Sequence, residues 1–349
     1  MKYILFTNRT HLLVFLYIFT SITMLKAQTF TNPILPSGAD PYSVFVDGYY
    51  YYTHTKGNRI DLWKTKDLSL LATAKHKTIW IPPKKGMYSK NIWAPEIHYL
   101  EGKWYVYFAA DDGNNNNHRM YVIENRNSDP FSDQWEFKGK LATHSDKWAI
   151  DGNVFQFKGQ YYMIWSGWEG DKNGMQSIYI AEMKSPTEPT GRRYKIASPT
   201  YQWERYGRLN DSNNPAEVFV NEGPQFLQHQ DRIFIVFSAS GCWNDQYSLG
   251  VLEFTGEDDL LNPLHWKKHK KPLLTQSKKN KVYGTGHNSF FKSPDGKQDW
   301  ILYHANSGPG QGCGGFRSPR MQPLHWDENG FPVVGEPVSQ TTILNTPSR

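Results

Sequence analysis

The chain has 349 residues, a formal charge of +6 and an aromatic content of 15%. Lys2, Arg9 and Lys26 fall in the first 27 positions without a single acid, so residues 28–349 carry only +3. That balance argues against a nucleic-acid partner, and the length fits one large all-β domain with no signal for a second.

In chain order, residues 1–27 read as a signal peptide. Basic Lys2 and Arg9 precede an apolar stretch at 12–25, and Lys26-Ala27 places a small residue before Gln28. A transmembrane anchor is the alternative, but the run is short of about 20 residues and is interrupted by Thr20, Ser21 and Thr23. No Cys follows the cut, so lipid anchoring is not expected. Cleavage would leave residues 28–349 secreted or periplasmic, with no membrane attachment.

Past residue 27 an aromatic strand pair recurs five times. Asp47-Gly48, Glu101-Gly102, Lys158-Gly159, Gln230-Asp231 and Asp295-Gly296 each introduce a β-rich run, as in Tyr49-Tyr50-Tyr51-Tyr52 and Trp104-Tyr105-Val106. A polar residue with Gly between two such runs is the chemistry of a tight hairpin. Counting back eight residues from the turn reaches Asp40, Ala94 and Asp151; counting back nine reaches Glu222 and His287, a difference that fits a slightly longer turn in the last two copies. The repeat spacing of roughly 60 residues is long for a propeller blade, and extra loops account for it. Residues 111–117 and 210–215, rich in Asn, Asp and Gly or Pro, read as such loops. The pattern predicts a five-bladed β-propeller over 28–349, with aromatic side chains filling the wedges between blades.

Cys242 and Cys313 follow the repeated strands of the fourth and fifth copies, hence on one face of adjacent blades. They are candidates for one disulfide, the other reading being two separate thiols.

In a propeller the inner strands border a central funnel, so Asp40, Asp151 and Glu222 would meet around one cavity. Each alone is an ordinary turn or loop charge; their recurrence at one repeat position points to shared chemistry. Like charges brought together raise at least one pKa, which keeps a carboxyl protonated near neutral pH as a general acid. Paired carboxyls in an aromatic funnel suggest glycoside hydrolysis.

Gly38-Ala39-Asp40-Pro41, Trp93-Ala94-Pro95-Glu96, Ile150-Asp151-Gly152-Asn153-Val154-Phe155, Asn221-Glu222-Gly223-Pro224, Gly286-His287-Asn288-Ser289 and Arg320-Met321-Gln322-Pro323-Leu324 form an ordered set. With it, from about residue 32 to 337, the chain resembles glycoside hydrolase family 43, five-bladed propeller enzymes acting on arabinose- and xylose-containing polysaccharides. The resemblance implies an inverting mechanism with Asp40 as general base, Glu222 as general acid and Asp151 tuning and orienting the acid. It needs no cofactor for chemistry. It implies that His287 helps hold a calcium ion or another solvated cation on the axis, although calcium prefers oxygen ligands. It also implies that Arg320 reaches the sugar pocket, with Arg317 a competing candidate. Trp93, Trp165 and Trp168 are candidates for stacking on sugar, and Ala94, Glu96 and Asn288 for lining the pocket. The segments Trp93 to Glu96, Asn221 to Pro224 and Arg320 to Trp326 look most like exo-acting α-L-arabinofuranosidases that take a plant-type polysaccharide or oligosaccharide. The Gly-rich loop at 308–315 departs from those enzymes, and β-xylosidase or galactofuranose- and galactan-directed activities use the same three acids. A retaining enzyme, with carboxyls only about 5–5.5 Å apart, and a non-catalytic carbohydrate-binding propeller are the rivals from other classes.

Overall fold

The computed structural model describes residues 28–207 and 218–349; the segment read as a signal peptide and the loop at 210–215 lie outside the described residues. Polar turns and β-branched or aromatic runs cut the chain into short antiparallel strands. The first hairpin turns through Asp47 and Gly48 with φ of 50° and 77°, and Glu101-Gly102 and Lys158-Gly159 repeat that left-handed pair. This twist matches that of the flanking strands, which is why polar-Gly pairs make the hairpin.

The strands fall into sequential meanders. After β1 (Thr29–Phe30), the first sheet runs β2 (Tyr42–Val46), β3 (Tyr49–Thr53), β4 (Ile60–Thr65) and β5 (Lys75–Trp80). The second comprises β6 (Lys90–Leu100), β7 (Lys103–Asp111), β8 (Arg119–Asn125) and β9 (Trp135–Leu141). A third meander, β10 (Ala149–Phe157), β11 (Gln160–Trp168) and β12 (Met175–Ser185), has two short partners, β13 (Glu188–Pro189) and β14 (Tyr194–Ala197). A fourth, β15 (Phe219–His229), β16 (Arg232–Ala239), β17 (Ser248–Phe254) and β18 (Trp266–Lys268), joins the third through two parallel residue pairs between β12 and β15. The last is β19 (Tyr283–Lys292), β20 (Asp299–Asn306), β21 (Ser318–Trp326) and β22 (Pro332–Val333). β23 (Leu344–Asn345) pairs antiparallel with β1. Helix is confined to short 3-10 turns among the described residues.

Apolar clusters lie between consecutive meanders: Leu62 with Ile97, Tyr107 with Met163, Ile164 with Ile235 and Val236 with Ile301. A fifth packs Tyr52 and Trp63 of the first sheet against Leu302 and Met321 of the last. Each fully buried side chain of this size contributes about 1.5–3 kcal/mol. The chain start reinforces that last junction: Asn32 exchanges two hydrogen bonds with the Met321 backbone, at 2.8 and 2.9 Å, and Ile34 N–H donates to Pro319. The first strand of each meander therefore faces the same interior, where the acids lie.

Candidate active site

The innermost strands break their ladders at one level. Register shifts separate Trp93 from Glu96, Ile150 from Asn153, Glu222 from Gln225 and Gly286 from Ser289. In each gap one residue is left-handed: Ala94 (43°), Asp151 (57°), Gly223 (54°) and His287 (49°), with Asp40 (58°) just ahead of β2. A bulge re-aims a side chain out of the ladder. Holding a non-glycine residue there costs roughly 1–3 kcal/mol, and such outliers gather at functional sites.

The register corrects one expectation. The turn of the fourth meander is two residues, since His229 pairs with Arg232, and is no longer than the first three. Glu222 is nine residues back because it precedes the left-handed position, which Gly223 occupies. Its counterparts are Trp93, Ile150 and Gly286. Only the fifth connection, from Lys292 to Asp299, is lengthened. A Cβ at Gly223 would meet the His287 ring and Ser238 Oγ at 3.3 Å, so the backbone here is both left-handed and crowded.

Asp40, Asp151 and Glu222 line a single cavity of about 410 Å³ together with His287, Thr55 and Arg317. Trp93, Trp148 and Trp243 supply aromatic wall, and Asn115, Asn173 and Gln176 supply amide groups. Cys242 and Cys313 form a disulfide at this wall, with a Cα separation of 5.2 Å. It ties the loop before β17 to the loop that carries Arg317.

Asp40 sits among donors. Thr55 Oγ1 donates to Oδ2 at 2.6 Å and itself accepts from Ala94 N–H at 2.7 Å. Oδ1 lies 3.2 Å from Arg317 Nη1, 3.2 Å from His287 Nδ1 and 3.5 Å from His304 Nδ1. Burial by itself would raise the pKa, but His287, Arg317, His304 and the Thr55 hydroxyl outweigh it and hold this carboxyl well below the usual range. Asp40 N–H donates to His304 Nδ1 at 3.1 Å. Burial lowers the pKa of both His287 and His304 despite the adjacent Asp40.

Opposite tuning acts on the other two acids. Burial, then Glu222 and Asp40, push Asp151 well above the carboxylate range, against the Gly223 N–H that donates to Oδ2 at 3.0 Å. Glu222, still reached from the cavity, is pushed up to about 7 by burial and by Asp40, opposed by Tyr247, whose hydroxyl donates to Oε1 at 2.8 Å, and by Arg317. Both carboxyls are thereby pushed toward the protonated form, and they titrate as a pair rather than singly. Tyr247 is buried, stacks on His304 at 5.6 Å and 5°, and occupies the space a Cβ on Gly286 would need, 2.1 Å from its ring.

The remaining predicted residues divide. Trp93 lines the cavity and stacks on His118 at 4.1 Å. Ala94 is buried and contributes its N–H to Thr55. Glu96 is not on the wall: it lies buried among Asn153 Nδ2 (2.8 Å), His98 Nε2 (3.1 Å) and Gln225 Nε2. Trp165 and Trp168 are core residues rather than sugar platforms, Trp168 stacking on Trp148 at 4.6 Å and 7° behind the cavity. Asn288 is wholly buried, with neither side-chain polar atom hydrogen bonded. Arg320 is also wholly buried, donating to Ser307 Oγ at 2.8 Å within its own sheet's β20–β21 connection, and Arg317 is the arginine at the acids. The two differ by three positions at the entry to β21, so they leave on different faces.

The donors near His287 do not build a calcium cage. That cation takes six to eight oxygens, whereas His287 offers nitrogen whose Nδ1 faces Asp40, and among the described residues no three His, Cys, Asp or Glu side chains converge on a metal position.

Thr55, Tyr247, His304, Trp148 and Trp243 had no signal in the sequence; each comes from a second strand or a loop outside the repeated motif.

The sequence profile described as Glycosyl hydrolases family 43 matches residues 30–332. An extracellular exo-α-(1→5)-L-arabinofuranosidase of Streptomyces avermitilis is 37% identical over 89% of this chain, which spans 64% of that relative's length. One of the same description from Streptomyces chartreusis is 35% identical over 80% of the chain and 83% of its own. A solved α-L-arabinofuranosidase from Lactobacillus brevis superposes with a TM-score of 0.82 at 34% identity, covering 90% of this chain and 98% of that one. With its bulged inner strands and its three acids on one cavity, the chain belongs to the glycosyl hydrolases of family 43.

Proposed function

We propose that this chain is an inverting, exo-acting α-L-arabinofuranosidase on a five-bladed β-propeller, removing terminal arabinose from arabinan or arabinoxylan-type polysaccharides. The blade count is supported by five apolar clusters that link successive sheets and the last sheet to the first.

One observation carries the chemistry. Asp40, Asp151 and Glu222 line one cavity, with Asp40 set among His287, Arg317 and the Thr55 hydroxyl, which favour its ionised form, while burial and neighbouring acids favour the protonated forms of Asp151 and Glu222. An ionised Asp40 accepts a proton from the attacking water, and Glu222 gives its proton to the departing glycosidic oxygen. Asp151 is the partner that orients and tunes the acid, and it fixes the backbone beside Glu222 by accepting from Gly223 N–H. Inversion calls for the two reacting carboxyls about 6.5–9.5 Å apart, with water between them and no cofactor.

Exo action is supported by the size of the cavity, at the small end of the usual 300–1,000 Å³, and by the disulfide-tied rim on one side. Arabinose as the sugar, and export beyond the cell after removal of residues 1–27, are supported by the descriptions of the Streptomyces relatives.

Aryl α-L-arabinofuranoside, β-D-xyloside and β-D-galactofuranoside, tested with wild type and Glu222→Gln, decide the sugar and the acid together. Turnover of the arabinofuranoside is expected, with inverted product by proton NMR. Glu222→Gln should bind an unactivated arabino-oligosaccharide and not cleave it. Full activity of that variant on the oligosaccharide would remove the acid assignment, and preference for xyloside or galactofuranoside would remove the sugar.

A further inference from the structure

Residues 266–281 contain seven lysines and no acid. From Gln28 onward the rest of the chain holds 29 Lys and Arg against 33 Asp and Glu, so this one stretch supplies the positive excess of the whole. Lys268 is committed internally, to Ser198 O at 2.6 Å and to Glu204. The other six are exposed, and none of them pairs with a carboxylate among the described residues.

The stretch leaves β18 at the outer edge of the fourth meander, passes Leu274, bridged to Leu249, and re-enters at β19, the strand of His287. Its lysines rim two adjoining grooves of about 580 and 540 Å³, which share Lys271, Pro272, Leu273 and Gly335. The floor of the first is apolar, made of Pro272, Leu273, Phe331, Pro332 and Val333, the last 41% exposed. Ammonium groups concentrated in this way repel one another and attract a polyanion. An apolar floor between cationic rims suits a chain of sugar rings that lay their C–H faces down and extend carboxylates sideways. The floor lacks the row of exposed aromatics on which unpaired bases stack.

We propose that this outer edge is an accessory docking surface for a uronate-bearing polysaccharide, tethering the protein to acidic polymer without entering the catalytic cavity. The choice of polysaccharide rests on the function proposed above. Binding is read by affinity electrophoresis of the full chain in gels containing polygalacturonate or neutral linear arabinan. Polygalacturonate should retard the wild type more than arabinan does, and added salt should reverse this. Lys270→Glu/Lys271→Glu/Lys278→Glu should weaken binding about ten-fold or more, while kcat/KM on aryl arabinofuranoside is unchanged. The milder Lys→Gln triple, checked for an unchanged melting temperature, should weaken it less. Equal retardation of wild type and both triples, no preference over arabinan, or equal binding to polyphosphate and anionic phosphatidylserine vesicles would overturn the proposal. Loss of polygalacturonate binding in the triples of a protein that never cleaves arabinofuranosides would keep the docking surface and remove the proposed activity.

Discussion

Tyr247→Phe isolates one hydrogen bond in the acid pair. The ring would keep its stack on His304 and its place over Gly286, so the loss is confined to the hydroxyl that donates to Glu222 at 2.8 Å. A donor favours the ionised carboxylate, and its removal therefore raises the pKa of Glu222 from about 7. A hydrogen bond to a charged group contributes about 1.5–3 kcal/mol, against about 1 for a neutral pair. The difference, about 0.5 kcal/mol at its low end, corresponds to a shift of roughly 0.4 pKa unit. The low end applies because Glu222 is reached by solvent from the cavity. The assay is kcat/KM against pH on an unactivated arabino-oligosaccharide, whose leaving group needs the proton. Its alkaline limb, which reports loss of the protonated acid, should move up by roughly 0.4 unit. An unmoved limb, or one moved down, would show that Tyr247 does not tune Glu222.

Other outcomes follow from the same charges. Arg317→Met removes one of the groups holding Asp40 low, so the acidic limb of kcat/KM should move to higher pH; an unchanged limb would place Arg317 outside the base's environment. Asp151 has a raised folded pKa, so its ionisation destabilises the native state as pH rises above the ordinary carboxylate value near 4. Asp151→Asn should therefore raise the melting temperature more at pH 8 than at pH 4.5 while lowering activity, and the opposite pH trend would contradict the raised pKa. Asp40 behaves inversely: its depressed pKa adds stability above the ordinary carboxylate range that is lost only as pH falls below it, so Asp40→Asn should cost stability at neutral pH. Replacing Cys242 and Cys313 by Ser opens a span of 71 residues and should cost about 4 kcal/mol in denaturant unfolding. KM should rise as the rim loosens, and an unchanged KM would free the loop from any part in the pocket.

Much of the architecture was legible because its causes are local. Polar-Gly pairs at Asp47, Glu101 and Lys158 demand left-handed turns, and the aromatic runs beside them demand strands, so the hairpins could be read in order without coordinates. Asp40, Asp151 and Glu222 stood out because a repeat carries them to one level, and the repeat is a property of sequence. What the repeat could not carry was the offset of Glu222 from Gly223, since a bulge changes which residue faces the interior while leaving the turn count intact. The choice between Arg317 and Arg320, and between cavity and core for Trp93, Trp165 and Trp168, depended on alternation across particular strands. Tyr247, His304 and Thr55 reach the acids from neighbouring strands and loops through no pattern of spacing. The chain by itself therefore determined the sheets and the identity of the acids, because turn and strand preferences act between adjacent residues. Packing alone decided which acid sits among cations and donors and which two are pushed toward the protonated form, because a pKa answers to every charge and donor nearby in space, however distant along the chain.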